Sequence, residues 1–130
     1  MALQIFAVDE PARVGVVRNV RRTTRAPCGA IARVRSDRDQ SFGFCSDLSL
    51  GGMLFIGPTL PLSRRVAISL HLPAAGLVLV EGEVIAHRKL RGCDASILRF
   101  PSLSAKNLRL ISRFLALRLF GKACSKHASA

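Results

Sequence analysis

The feature that most constrains the fold is a two-residue hydrophobic period, which recurs in short segments between Cys28 and Phe100. Successive side chains of a β-strand point to opposite faces, so this period indicates strands with one buried face. Turn-forming residues separate the segments, as in residues 36–40, 57–61 and 73–76. The pattern therefore predicts six or seven short strands. The positions expected to face the core include Val66, Ile68, Leu70, Leu72, Val78, Val80, Val84 and Ala86.

One helix is predicted after the last strand. Ser104 is a suitable N-cap, residues 105–120 are strong helix formers with a wide apolar arc, and Gly121 is the expected C-terminal cap. Strands at hairpin spacing followed by one helix predict a mainly β protein, a small antiparallel β-barrel with the helix packed over its mouth. The expected divisions are an N-terminal tail or added strand (1–17), a barrel domain (18–120, helix about 104–120) and a C-terminal tail (121–130).

The charge balance predicts an anionic partner. Lys and Arg number 20 against 8 Asp and Glu, a formal charge of +12, and most of the positive charge is arginine. A nucleotide, a nucleic acid, an anionic membrane surface or an acidic protein fits this balance, and arginine favours bidentate recognition of phosphate or base edges. Met1 to Pro11 lacks the features of a secretory signal, and no charge-free run is long enough to span a membrane, so a cytoplasmic location is expected.

Catalytic and metal-binding patterns are missing from the sequence. The four cysteines, Cys28, Cys45, Cys93 and Cys124, are far apart and are expected to be buried free thiols, with neither a disulfide framework nor a metal site. Glu81 and Glu83 are expected to project from one strand face and to pair with arginines, because neither a nucleophile nor a histidine accompanies them. We therefore expect no enzyme activity and no cofactor.

Two polar clusters stand out against this β background. The first is a run of arginines, Arg18, Arg21, Arg22 and Arg25, with no acid among them. The second is the stretch from Asp47 to Gly52, in which a carboxylate, the hydroxyl of Ser49 and a pair of glycines stand between two apolar runs. Taken singly, they fit a solvated basic linker and an ordinary hairpin corner. An antiparallel hairpin from residue 28 to residue 47 would return the chain to its start, so we expect both clusters at the same end of the barrel.

In this order and at this separation, the two clusters resemble the motifs of the PilZ domain family, the bacterial receptor modules for cyclic di-GMP. The family pattern is RxxxR followed about twenty residues later by [D/N]xSxxG. Arg21, Arg25, Asp47, Ser49 and Gly52 occupy those positions. The resemblance covers roughly residues 18–118 and includes the runs 52–55 and 81–84 and the end of the last strand, Leu98 to Phe100.

The resemblance implies a role for each motif residue. Arg21 and Arg25 would pair with phosphate, fork onto guanine and stack on the base, and Arg22 would be an auxiliary phosphate contact. Asp47 would accept hydrogen bonds from the guanine N1 and N2 donors. Ser49 would bond to the base or the phosphate, and the glycines Gly51 and Gly52 would let the ligand approach the backbone.

Two departures bear on the pocket. Arg18 and Arg22 also stand in RxxxR register, so Arg18 is an additional candidate. Family members often have a small residue near the middle of the last strand, where this chain has Ile97. Its bulk is expected to narrow the pocket or to change whether one or two ligand molecules fit.

The expected function is a cyclic di-GMP adaptor in motility, biofilm or virulence signalling. The ligand would draw the arginine segment onto the barrel and change the binding of a downstream protein. The apolar breadth of the helix also permits a homodimer through it, or a basic face against anionic lipid. The alternatives are a PilZ-type interaction protein of pilus or motility machinery that binds no ligand, and a basic nucleic-acid-binding domain. The latter is disfavoured because Phe is the only aromatic residue type available for stacking.

Overall fold

The structure is a computed structural model that describes residues 24–129, with side chains up to residue 120. The expected N-terminal tail or added strand (1–17) lies outside the described residues, and so do Arg18, Arg21 and Arg22.

Six antiparallel strands within residues 24–129 form a closed barrel, and one helix follows them. The order around the barrel is β1-β2-β3-β6-β5-β4, and pairing of β4 with β1 closes it. This agrees with the predicted class. The elements are β1 (Ala26–Arg35), β2 (Gln40–Leu48), β3 (Gly52–Ile56), β4 (Arg65–Leu72), β5 (Gly76–Leu90), β6 (Cys93–Arg99) and α1 (Ala105–Ser129).

The two-residue period does mark the buried faces. In β4 the four alternating apolar residues are all buried, and in β5 Val78, Val80 and Val84 are buried. Ala86 is only half-buried, because β5 bulges between Val84 and Ala86 where it pairs with β6. The hairpin after β5 is tight: the strand continues to Leu90, and Arg91 and Gly92, with φ of 50° and 82°, form the turn. Positive φ at both central residues is typical of a type I′ hairpin turn.

The two glutamates of β5 pair across strands, as the sequence predicts. Glu81 Oε1 lies 3.1 Å from Arg65 Nη1 on β4, and Glu83 pairs with Arg99 on β6. Glu81 and both arginines are exposed, so the pairs contribute little to stability. Glu81 and Glu83 therefore act as ion-pair partners of arginines on the neighbouring strands.

The helix begins as predicted and ends later. Ser104 Oγ accepts a hydrogen bond from the backbone N–H of Asn107 at 3.1 Å, which confirms the N-cap. The expected end near residue 120 is wrong, because the helix continues to Ser129. Glycine in a helix interior costs only about 1 kcal/mol relative to alanine, so Gly121 among helix formers does not terminate it. No helix in the described part of the chain combines the length and apolar character needed to span a membrane.

The helix packs against the barrel through a narrow stripe. Ile111, Phe114 and Leu115 are buried, whereas Leu108 and Leu117 remain exposed. Asn107 also anchors the first turn, since its Nδ2 donates to the carbonyl oxygen of Leu79 on β5 at 2.7 Å. The helix is therefore tied to β5 at its start and, through Arg118, to β1 farther along.

Candidate functional site

Strand pairing places Arg25, the described member of the arginine cluster, at the same end of the barrel as the stretch from Asp47 to Gly52. Pro27 of β1 lies opposite Asp47 of β2, and Ala26 lies opposite Leu48. Arg25, which is exposed, directly precedes this first pair. Arg25 therefore leads into β1 at the end of the barrel where Asp47 lies.

Asp47 lies between two irregularities in the sheet. The first is a bulge on the side of β1. Between the pairs Pro27↔Asp47 and Ala30↔Cys45, β1 has two residues and β2 has one. Toward β3, the register shifts between Cys45 and Asp47. Bulges turn a side chain out of the regular alternation and are common beside binding sites. The half-buried Asp47 side chain is consequently set at the rim, where its carboxylate retains contact with solvent.

Ser49 forms the corner between β2 and β3. Its backbone N–H donates to the carbonyl oxygen of Gly52 at 2.9 Å. Its Oγ accepts from the N–H groups of Gly51 and Gly52, both at 3.2 Å, and lies 3.3 Å from the Gly52 carbonyl oxygen, to which it can donate. A serine hydroxyl has one donor and two acceptor lone pairs, so these contacts use all of its capacity. In this conformation Ser49 shapes the corner behind Asp47, and its contact with a ligand stays a prediction.

Gly52 is required by the neighbouring strand. A Cβ added at Gly52 would lie 2.1 Å from the carbonyl oxygen of Leu98 on β6, far inside van der Waals contact. The adjacent Gly51 accepts a hydrogen bond through its carbonyl oxygen from the N–H of Phe100 at 2.8 Å. Both glycines thus hold the corner against β6. This structural role could not be predicted from the sequence motif alone.

Ile97 lies on the same row of the sheet as Asp47. Asp47 pairs with Leu54 on β3, and Leu54 pairs with Ile97 on β6. Leu54 and Ile97 are both half-buried. Since adjacent strands are about 4.8 Å apart, Ile97 lies roughly 10 Å across the sheet from Asp47. A ligand that spreads over this surface from Asp47 would meet the Ile97 side chain.

A groove of about 410 Å³ opens beside this end of the barrel. Arg118 of the helix crosses it: Nη2 donates to the carbonyl oxygen of Cys28 at 2.9 Å, and the guanidinium lies 5.3 Å from the ring centroid of Phe114. Arg118 is not predictable from the sequence as a site residue, because its partner is 90 residues away in the chain. The local signal was its position four residues after Phe114 on one helix face. The groove is lined by Pro27, Cys28, Gly29, Phe44, Ser46, Ile56 and Arg118.

Two thiols lie in the core near this end of the barrel, and of the two only Cys28 is among the residues that line the groove. Cys28 and Cys45 are buried and free, as predicted, whereas Cys93 is exposed, contrary to expectation, because it begins β6 beside the hairpin turn. Hydrogen bonding from the Cys45 thiol lowers the pKa of Cys28 to about 7, against the opposing effect of burial. The same interaction, with burial, raises the pKa of Cys45. In the neutral state the Cys45 thiol lies 3.3 Å from the Asp47 carbonyl oxygen, to which it can donate.

A family model described as "PilZ domain" matches residues 19–117. Among solved structures, the chain is similar to the PilZ domain, with c-di-GMP, of YcgR from Escherichia coli: 21% identity, TM-score 0.63, over 84% of this chain and 97% of that one. It is also similar to the K. pneumonia MrkH–c-di-GMP complex (19% identity, TM-score 0.66, 82% of this chain). A third similar structure is the Bacillus subtilis inhibitor of motility MotI/DgrA (12% identity, TM-score 0.67, 75% of this chain).

These similarities differ in extent. The chain spans nearly all of the YcgR domain but only 55% of the MrkH chain and 50% of the MotI chain. At such identities the solved structures support the barrel fold alone. A comparison with curated proteins found no match.

Proposed function

The chain belongs to the PilZ domain family, and we propose that it is a cytoplasmic receptor for cyclic di-GMP that acts as an adaptor and carries out no reaction itself. The observation that carries the proposal is the pairing of Pro27 with Asp47, which sets Arg25 and Asp47 at one rim of the barrel. The similar YcgR and MrkH structures, both of which contain c-di-GMP, support the same ligand class.

Recognition would combine charge with base reading. Arg21, Arg22 and Arg25 would neutralise the two phosphodiesters and fork onto guanine O6 and N7, since guanidinium presents donors in a planar pair. Asp47 would accept from the guanine N1–H and N2–H₂ groups, which adenine does not present in that arrangement. Ser49, Gly51 and Gly52 would keep the Asp47 corner in shape, and Arg18 is a further candidate phosphate contact.

The helix is the element through which binding would change a partner interaction. Arg118 already joins the helix to the Cys28 carbonyl, one residue from the Pro27–Asp47 pair. A doubly anionic ligand at this rim would compete with that carbonyl for the Arg118 guanidinium. Loss of this contact would change the position of the second half of the helix on the barrel. A downstream protein in motility, biofilm or virulence signalling would bind one helix position more tightly than the other.

The test is calorimetric titration of the full chain with cyclic di-GMP, cyclic di-AMP and GTP. Saturable binding of cyclic di-GMP is expected, with at least about a hundredfold loss of affinity in Arg25→Ala and in Asp47→Ala, since each removes a charge-assisted contact of roughly 3 kcal/mol. Arg35→Ala is the matched control, because Arg35 is also exposed but lies at the opposite end of β1. Equal binding of cyclic di-AMP, or an unchanged affinity in both variants, would refute the proposal.

A second candidate function is a ligand-independent interaction protein. Ile31, Phe42 and Phe44 are 62%, 59% and 54% exposed on the outer face of β1 and β2, where Ile31 pairs directly with Phe44. Adjacent exposed aromatic and aliphatic side chains are typical of a protein-binding surface. Absence of cyclic di-GMP binding by a folded chain would favour this function over the first.

A further inference from the structure

The contacts of the helix with the barrel determine which side of it faces outward. Asn107 and Arg118 donate side-chain hydrogen bonds to carbonyl oxygens of barrel strands, and Ile111 and Phe114, between them, are buried. These four residues are spaced four, three and four apart, so they lie on one side of the helix. Arg113 follows Ile111 by two residues, about 200° around the helix axis, and therefore lies on the opposite side.

A row of exposed side chains runs along this outer side. Its members are spaced three or four residues apart, the interval at which helical side chains are neighbours, and they extend over about 21 Å. The first three are cations and the last two are apolar, with Leu117 46% and Phe120 47% exposed. We call this set the outer row: Lys106, Arg109, Arg113, Leu117 and Phe120.

Within the described residues, no carboxylate pairs with the three cations of the outer row. The helix, 25 residues long, contains neither aspartate nor glutamate. The ion pairs found within residues 24–120 all join strand residues, namely Arg65–Glu81, Lys89–Asp94 and Arg99–Glu83. The outer row therefore favours an occupant that is anionic and that also covers apolar side chains.

A second copy of the chain is a poor occupant of this face. Two outer rows packed parallel would set all three cations against their copies, and two packed antiparallel about their centres would set Arg113 against Arg113. Neither arrangement supplies an acid from the helix. An anionic membrane supplies both requirements at once, because its phosphate groups attract Lys and Arg while the boundary of its acyl chains accepts Leu and Phe.

We propose that the outer row binds the surface of an anionic membrane. Lys106, Arg109 and Arg113 lie among the phosphate groups of the lipids, and Leu117 and Phe120 enter the boundary of the acyl chains. The helix lies in the plane of the membrane surface, with its buried side and the barrel turned away from the lipid. The proposal goes beyond cyclic di-GMP recognition and does not depend on it.

The first experiment measures cosedimentation of the full chain with vesicles in the absence of cyclic di-GMP. Vesicles of phosphatidylcholine and phosphatidylglycerol in equal parts should bind the chain, and vesicles of phosphatidylcholine alone should not. The double variant Arg109→Gln, Arg113→Gln should bind about thirtyfold more weakly, since each cation near an anionic surface strengthens binding about fivefold. The double variant Arg88→Gln, Arg91→Gln is the matched control. It removes the same charge from exposed arginines around the β5–β6 hairpin and should weaken binding far less.

A second experiment identifies the surface that enters the lipid. The chain contains neither Trp nor Tyr, so one introduced Trp is an isolated fluorescent reporter. The emission of Phe120→Trp should shift to shorter wavelength on the anionic vesicles and should be quenched by brominated acyl chains. Phe42→Trp is the control, because Phe42 is 59% exposed on the outer face of β2, and its emission should not change.

Several outcomes would overturn the proposal. These are equal binding to both kinds of vesicle, equal losses in the two double variants, or a spectral change in Phe42→Trp without one in Phe120→Trp. Absence of vesicle binding would also overturn it. In that case, a dimer that Leu117→Ser disrupts would assign the outer row to a second copy, and binding of polyglutamate would assign it to an acidic protein. Every substituted side chain is exposed, so the variants should fold normally, as circular dichroism can check.

Discussion

Removing the Ser49 hydroxyl tests whether the corner before Gly52 is held by that side chain. In Ser49→Ala, the N–H groups of Gly51 and Gly52 lose their acceptor at 3.2 Å, and the Gly52 carbonyl loses a donor at 3.3 Å. The backbone bond from Ser49 N–H to the Gly52 carbonyl survives. A buried hydrogen bond contributes about 1 kcal/mol, and water can replace part of the loss at the half-buried Gly51, so the free energy of unfolding should fall by about 2 kcal/mol.

That loss corresponds to a decrease in Tm of about 8 °C for a domain of this size, measurable by circular dichroism or calorimetry. Ser102→Ala is the control, because Ser102 is exposed, and it should change Tm by less than about 2 °C. If Ser49 acts through the corner, cyclic di-GMP affinity at 15 °C should fall far less than in Asp47→Ala. A Tm equal to that of the control would refute the structural role, and an affinity loss as large as that of Asp47→Ala would make Ser49 a direct ligand contact.

Three further predictions concern the strand contact, the helix contact and the thiol pair. Gly52→Ala should lower the free energy of unfolding by about 3 kcal/mol in denaturant titration, because its Cβ would lie 2.1 Å from the Leu98 carbonyl oxygen; a change below 1 kcal/mol would contradict this. Arg118→Gln should increase amide hydrogen exchange in the second half of the helix, whereas Arg113→Gln, which alters an exposed arginine on the same helix, should not. Alkylation of Cys28 by iodoacetamide should rise with pH and reach half its maximum near pH 7, and a midpoint above pH 8.5 would exclude the hydrogen bond from Cys45.

The barrel was predictable because each strand has one buried face. The alternation in residues 66–72 indicates that face directly, and Val66, Ile68, Leu70 and Leu72 pack inward as expected. The N-cap at Ser104 was equally predictable, since a serine hydroxyl directly before a helical segment commonly accepts a hydrogen bond from a backbone N–H of the first turn. The late end of the helix was not, because Gly121 disfavours a helix only weakly and its neighbours determine the outcome.

The candidate site was less predictable than the fold. Residue types indicate which groups can bind an anion, but not which of them are already engaged within the protein. Ser49 shows this: its hydroxyl fits a ligand donor, yet here all its hydrogen bonds lie within the corner. Arg118 shows the converse, because a contact across 90 residues depends on where the helix docks and leaves no mark in the local sequence.

Closure of the sheet limits how this protein can recruit others. With β4 hydrogen-bonded to β1, every strand within residues 24–129 has a neighbour on both sides. A visiting peptide therefore finds no strand in this part of the chain that is open along a whole edge, the usual site of β-augmentation. For residues 24–129, we expect a companion molecule to recognise mainly side chains on the barrel exterior or the helix. Amino-acid substitutions on those surfaces can then redirect signalling while the hydrogen-bonded framework stays the same.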